Sequence, residues 1–328
     1  MKICVYGAGG IGCYVGGRLA AAGSDVTFVG RPRMAASVAS GGLRLTDYRG
    51  ADLRVSAVRF EVVPEAAADA DLVLVTVKSA GTATAGAELA KVLKPGAVVV
   101  SFQNGLRNAP LLREALPGHQ VVTGMVPFNV LNRGGGAFHQ GTEGFLDVEP
   151  GLSSFAPAFA AAGLPLTEHA DMLPVQWAKL LLNLNNPINA LSDLPLRDEL
   201  SQRGYRLCLA AVQSEALAVL NFAGIKPAQL TAVPAHRMPT ILRLPDFLFR
   251  RLAARMLAID PLARSSMWED LQAGRPTEIA YLNGEITTLG SDLGIPTPIN
   301  TRITELIHRA EQTPTHYTAP ALQSALPL

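Results

Sequence analysis

The chain has 328 residues, 48% of them hydrophobic, and its 28 Lys and Arg against 27 Asp and Glu leave a net charge of +1. That length supports two domains with separate cores, and the evenly spread charge gives no electrostatic basis for binding nucleic acid or an anionic membrane. Three scattered cysteines (Cys4, Cys13, Cys208) and six scattered histidines lack metal or disulfide spacing, which predicts no metal site and fits a reducing cytoplasm.

A first strand, Lys2 to Tyr6, runs into Gly7-Ala8-Gly9-Gly10-Ile11-Gly12 and then a helical stretch from Cys13 to Ala22. Because the strand begins at residue 2 and no uncharged apolar run reaches membrane-spanning length, neither a signal peptide nor a membrane anchor is expected. Strand, G-x-G-x-x-G and helix in that order meet the needs of a dinucleotide pyrophosphate. The glycines allow a tight turn and close backbone approach, and the helix N-terminus offers N–H groups to the anion. Gly7, Gly9, Gly10, Ile11 and Gly12 are therefore the expected cofactor cradle. The second strand, Asp25 to Val29, leads into Gly30-Arg31-Pro32-Arg33, where an NAD site usually carries Asp or Glu for the ribose 2′-hydroxyl. Arg31 suits a 2′-phosphate through its planar fork of donors, so the expected cofactor is NADP(H). The plainer alternative makes Arg31 and Arg33 solvated loop charges.

Alternation over 51–60 suggests strands, and 70–77 reads as a buried parallel strand. A helix over 83–93, a turn at Lys94-Pro95-Gly96 and a strand over 97–102 follow. Alternating strand and helix signals predict a doubly wound α/β sheet with ligands at the carboxyl ends of its strands. Lys78-Ser79 and Gln103-Asn104-Gly105 stand at two such ends. Lys78 and Asn104 are thus candidates to contact cofactor or substrate, although Asn-Gly is also an ordinary turn dipeptide and Lys78 an ordinary solvated charge. Further strands are expected over 121–130 and 144–148, with a Gly-rich loop or hairpin over 131–141.

From about residue 172 the pattern becomes helical: 173–191, 198–223, 245–258, 263–273 and 277–293. This composition predicts a Rossmann domain over 1–170 and an all-helical domain over 171–312 meeting at a cleft, with 313–328 a loosely held tail. The apolar, Arg-rich stretch 236–260 is either a cover over that cleft or a packing or subunit-contact helix. Within the first helix Lys179, Asn183 and Asn186 fall at i, i+4 and i+7 on one face, amid Leu180, Leu181, Leu182 and Leu184. Asparagines are poor helix formers, and Pro187 leaves the Asn183 carbonyl without its helical donor. The stripe either faces solvent or is aimed into the cleft by the resulting bend. Glu278 falls in the first turn of the last helix, whose buried face is Ile279, Leu282, Ile286 and Leu289, and the helix dipole alone accounts for a glutamate there.

In their order along the chain, GAGGIG (7–12), GR (30–31), KS (78–79), QNG (103–105), WAKLLLN (177–183), SSM (265–267) and TEIAYLNG (277–284) resemble the ketopantoate reductase (2-dehydropantoate 2-reductase) family. The resemblance extends from Gly7 to about His308. It implies a cytoplasmic, monomeric or homodimeric enzyme of pantothenate biosynthesis in which NADPH reduces the C2 carbonyl of a small 2-keto acid. It also implies that Lys179 is the catalytic general acid with Glu278 beside it, and that Asn104, Asn183, Asn186 and Ser266 contact substrate. Lys78, Asn104 and Glu278 would line the cofactor site. Two positions depart from the family pattern. The asparagine usual four residues after the one matched to Asn183 is Pro187 here, with Asn186 its substitute if one residue is deleted, and the asparagine usual after the following proline is Leu196. Two alternatives stand beside the ketopantoate reading: a reductase of another 2-keto acid on the same scaffold, and a non-catalytic NADPH-binding sensor, which would have no use for Lys179 and Glu278.

Overall fold

The computed structural model describes residues 1–253, 257 and 263–328, and the chain divides into two compact units, Met1–Met172 and Leu173–Leu328. The first unit opens with β1 (Lys2–Tyr6), α1 (Gly10–Ala21), β2 (Asp25–Val29) and α2 (Pro32–Ala39). Three strands follow: β3 (Leu43–Asp47), β4 (Asp52–Val55) and β5 (Arg59–Glu61). Next come β6 (Leu72–Val75), α3 (Thr82–Val92), β7 (Val98–Ser101), α4 (Asn108–Ala115) and β8 (Gln120–Met125). The unit closes with β9 (Val130–Gly134), β10 (Ala137–Gln140), β11 (Leu146–Val148), α5 (Ala156–Ala161) and β12 (Leu166–Glu168).

The main sheet has eight strands in the order β12-β11-β8-β7-β6-β1-β2-β5, parallel throughout except where β11 meets β8. Alternate residues feed opposite faces. Ile3, Val5, Leu72 and Leu74 enter one apolar cluster, and Cys4, Tyr6, Val73 and Val75 the other. Burial on both faces explains why these strands read as unbroken apolar runs. The chain leaves β1 outward through β2 and returns to β6 on β1's other side. This reversal is a topological switch point, the usual site of a ligand crevice.

The alternating run 51–60 is split by Ser56 to Val58: β4 joins a second sheet, β4-β3-β10-β9, while β5 edges the main one. The 131–141 segment is a hairpin, with β9 antiparallel to β10. Buried polar bonds tie α1 to this second sheet, Tyr14 Oη donating to Gln140 Oε1 at 2.9 Å and Arg18 Nη1 to Asp47 Oδ2 at 3.0 Å.

The second unit is helical: α6 (Leu173–Asn183), α7 (Asn186–Ser192), α8 (Leu196–Leu200), α9 (Arg203–Phe222) and α10 (Met238–Leu242). It continues through α11 (Asp246–Leu252), α12 (Ser266–Gln272), α13 (Asn283–Asp292), α14 (Pro298–Gln312) and α15 (Ala319–Ala325). The helix expected over 173–191 is two helices, because Pro187 has no N–H to continue α6 and instead occupies the first turn of α7. The helix expected over 245–258 is present as α11; its remainder at 254–256 and 258, like the end of the 236–260 stretch, lies outside the described residues. The expectation of a loose tail over 313–328 is corrected. Leu322 of α15 is fully buried, Tyr205 Oη donates to the Tyr317 carbonyl at 2.8 Å, and Arg302 Nε to that of Ala325 at 3.0 Å. Among the described residues no helix is long and apolar enough to cross a membrane.

Candidate active site

The registers Tyr6↔Val29, Tyr6↔Val75 and Val75↔Ser101 bring the carboxyl ends of β1, β2, β6 and β7 level with one another. The glycine turn leaves this edge from β1. Gly7 sits at φ +103°, and a Cβ there would lie 2.4 Å from the Val77 backbone nitrogen. Gly12 answers to packing, since its Cβ would lie 2.5 Å from Thr76 Oγ1. That hydroxyl donates to the Gly7 carbonyl at 2.8 Å, so the end of β6 holds the turn in shape. Gly9 is different: a Cβ on it would meet nothing nearer than the Gly7 carbonyl oxygen at 3.9 Å. It caps α1 without a side-chain hydrogen bond, and the first turn of α1 holds no acidic residue. Room beside a helix N-terminus that the protein does not fill suits an approaching pyrophosphate, so these residues fit a dinucleotide.

Arg31 caps α2 one residue beyond Gly30, and both it and Arg33 are exposed, leaving the guanidinium fork open to a phosphate. Lys78 and Asn104 are set by a polar network that the sequence pattern did not reveal. Ser101 Oγ donates to Gln103 Oε1 at 2.9 Å, and Gln103 Nε2 to the Val77 carbonyl at 3.0 Å and to Thr82 Oγ1 at 2.7 Å. Thr82 Oγ1 in turn donates to Asn108 Oδ1 at 2.7 Å. Asn108 Nδ2 and Ser79 Oγ then both donate to the Asn104 carbonyl, at 2.5 and 3.0 Å. All five side chains are buried, where an unmade bond is costly, so the loops after β6 and β7 are locked to one another. Lys78 is left exposed and Asn104 half-buried. The available signal was Thr82 and Asn108, polar residues that turn out to begin α3 and α4.

In the second unit α6 carries Lys179 and Asn183 one turn apart on one face. Asn183 is buried and Lys179 half-buried, and desolvation lowers the Lys179 ammonium to about 8. The expected stripe ends there: α6 stops at Asn183, so Asn186 does not continue its face but begins α7. Its carbonyl accepts from Ser265 Oγ at 3.1 Å, while Ser265 N donates to Asn189 Oδ1 at 2.8 Å. Ser265 Oγ also caps α12, accepting from Trp268 N at 3.1 Å. These bonds seat α12 on α7 and put Ser266, which is exposed, next in sequence to the residue bound to Asn186. Pro187 and Leu196 are both buried, and Leu196 N donates to the Ala263 carbonyl at 2.8 Å.

Glu278 is not in the first turn of an α-helix. It precedes a three-residue 3-10 turn, Ile279–Tyr281, which Leu282, at φ −117° and ψ −91°, separates from α13. So short a turn has little dipole, and the dipole no longer accounts for the glutamate. Thr277, the residue before it, donates through N and Oγ1 to Glu311 Oε1 at 2.8 and 2.7 Å. Burial pulls the Glu311 carboxyl up, but bonds from His308 and Thr277 outweigh that and hold it below its ordinary value. Glu311 therefore anchors the Glu278 turn. It was missed because α14 was not expected, although Pro298 followed by Ile303, Leu306, Ile307 and Ala310 carries the helical spacing. Among the described residues no group of three or more His, Cys, Asp or Glu is placed to hold a metal ion.

The family model described as ketopantoate reductase PanE/ApbA matches residues 3–151, and that of the family's C-terminal part matches 171–311. A 2-dehydropantoate 2-reductase of Halobacterium salinarum is 30% identical over 323 residues, 95% of this chain and 99% of the relative. Among solved structures, a PanE/ApbA family ketopantoate reductase from Ralstonia eutropha superposes with a TM-score of 0.80 at 33% identity, over 95% of this chain and 99% of that one. A D-mandelate dehydrogenase solved with NADH and anilino(oxo)acetate shares the fold, with a TM-score of 0.77 at 19% identity over the same shares of the two chains.

Proposed function

The chain belongs to the ketopantoate reductase family, and from that premise we propose that it reduces 2-dehydropantoate to pantoate with NADPH as reductant and Lys179 as general acid. The observation that carries this reading is Lys179 itself, a half-buried ammonium lowered to about 8 on a helix that the family's C-terminal model spans. When bound, NADPH supplies the hydride. The turn Gly7, Gly9, Gly10, Ile11 and Gly12 would hold its pyrophosphate and Arg31 its 2′-phosphate, with Lys78, Asn104 and Glu278 lining the site. As the C2 carbonyl is reduced, negative charge builds on its oxygen, and Lys179 donates a hydrogen bond and then a proton from Nζ to that atom. A value near 8 suits a general acid, because the group is charged at neutral pH yet gives up its proton more readily than an ordinary lysine. Glu278 orients Lys179 and favours its charged form. Asn183 and Ser266 donate to the substrate's carboxylate and hydroxyl, with Asn104 and Asn186 completing the contacts. We infer a monomer or homodimer in the cytoplasm, in keeping with three cysteines that are buried and free.

Pro187 and Leu196 favour a second reading, reduction of a different 2-keto acid, because they remove two amides from the family pattern while leaving Lys179 and the glycine turn intact. The test is kcat/KM for ketopantoate and a panel of 2-keto acids with NADPH and with NADH. Ketopantoate and NADPH ahead of every other pair is the expected result. A different keto acid ahead selects the second reading, and tight NADPH binding without turnover of any keto acid overturns both.

A further inference from the structure

The corner between α7 and α8 holds a carboxyl group that the proposed reaction does not use. Glu199 is 0% exposed. Its Oε2 accepts from Asn185 Nδ2 at 3.0 Å and from Asn189 Nδ2 at 3.4 Å. Among the described residues nothing donates to its Oε1, and Asn185 Oδ1 is likewise buried without a donor. An ionised carboxylate only accepts, so in that state both oxygens stay unsatisfied. One proton on Oε1 would turn it into a donor, and Asn185, already bonded to Oε2, carries a buried acceptor that has no donor. Burial acts in the same direction, raising Glu199 to about 8. The titratable groups of α9 that face it, Tyr205 and Cys208, are themselves raised by burial, Cys208 to about 12. Neither supplies a positive charge that would keep the carboxyl ionised, and the buried Arg206 guanidinium on the same helix is bonded to the Leu200, Leu242 and Leu244 carbonyls and to Asp246 rather than to Glu199. From α7 and the turn before it, Glu199 meets the amides of Asn189 and Asn185.

The residues of this unit assigned above to substrate lie near this pair in the chain or in its hydrogen bonds. Asn185 lies in the break between α6, which carries Lys179 and Asn183, and α7, which begins at Asn186, and Asn189 Oδ1 accepts from Ser265 N at the start of α12. We propose that Glu199 is a positioning residue that, as a neutral acid, fixes the α6–α7 break and the start of α12, and that its ionisation loosens binding of the keto acid. The proposal rests on the substrate-binding roles given above to Asn183, Asn186 and Ser266.

Steady-state kinetics of the full chain from about pH 6 to about pH 9.5 on wild type, Glu199→Gln and Glu199→Ala test it. Glutamine keeps the shape and a donor but cannot ionise. Glu199→Gln is expected to keep the wild-type KM at neutral pH and to make the rise in KM above about pH 8 smaller than in wild type, what remains being due to Lys179, which is unchanged in both proteins. Glu199→Ala is expected to raise KM about tenfold at every pH with kcat within about threefold of wild type. A KM for Glu199→Gln that rises with pH as wild type's does overturns the proposal, as does a loss at neutral pH equal to that of Glu199→Ala. Thermal unfolding against pH gives a readout independent of substrate. A carboxyl raised in the folded state contributes its stability below its unfolded value and loses it as pH rises through about 8, so the wild-type Tm should fall across that window relative to Glu199→Gln. Parallel Tm curves overturn the proposal. If no keto acid is turned over, the reading of the site fails and the positioning role with it, while the Tm curves still decide whether Glu199 is neutral.

Discussion

Single residues set the chemistry. Burial lowers the Lys179 ammonium to about 8, and only the protonated form can act as acid. Because kcat/KM reports the free enzyme, it should therefore hold at neutral pH and fall above about pH 8; a kcat/KM flat to pH 10, about where an ordinary lysine titrates, would contradict the assignment. Gly9 and Gly12 separate two reasons for a glycine. Gly9→Ala meets no protein atom closer than 3.9 Å, whereas Gly12→Ala would press on Thr76 and the Gly7 carbonyl. Gly9→Ala should leave Tm close to wild type yet weaken NADPH binding tenfold or more, and Gly12→Ala should lower Tm. Titration calorimetry beside a melting curve reads both, and Gly9→Ala with unchanged NADPH affinity would remove the pyrophosphate from that turn.

Elements were legible where one pattern spoke without competition. The strands β1, β6 and β7 are buried on both faces and announced themselves as apolar runs, and the glycine turn could be read because it follows a strand and opens a helix at the spacing a pyrophosphate needs. The helical unit was harder. Pro187 signalled a bend, but at the full stop between α6 and α7 Asn185 and Asn189 also bond Glu199, a contact 10 to 14 residues away that no local pattern encodes. The network under Lys78 and Asn104 was hidden for the same reason, since two of the partners of Asn108, Ser79 and Thr82, lie 29 and 26 residues before it. Arg206 shows how much one such contact holds. Fully buried in α9, it donates to the carbonyls of Leu200, Leu242 and Leu244 and to Asp246 Oδ1, with its guanidinium 4.1 Å from the Phe249 ring centroid. It thereby ties α8, α10 and α11 to α9. Arg206→Met leaves three carbonyls without that donor and should cost about 3 kcal/mol or more in denaturant unfolding. A loss under about 1 kcal/mol would mean that those carbonyls find other partners.

At the scale of the whole molecule, each of the two units is matched by its own family model, and the proposed cofactor-binding residues and the proposed acid fall in different units. Cofactor choice can be read on the intact chain. NADPH at about a hundred times its Kd should stabilise the fold by about 2.7 kcal/mol. NADH at the same concentration should give a smaller shift in Tm, and Arg31→Ala should bring the two shifts together; equal shifts in wild type would contradict the choice of NADPH. The central claim, that Lys179 serves as the acid in a keto-acid reductase, is tested most directly by the rate of NADPH oxidation, followed by absorbance with saturating keto acid, in wild type and Lys179→Ala. The account predicts a kcat lower by about a hundredfold or more in the variant, and a near-normal kcat would contradict it.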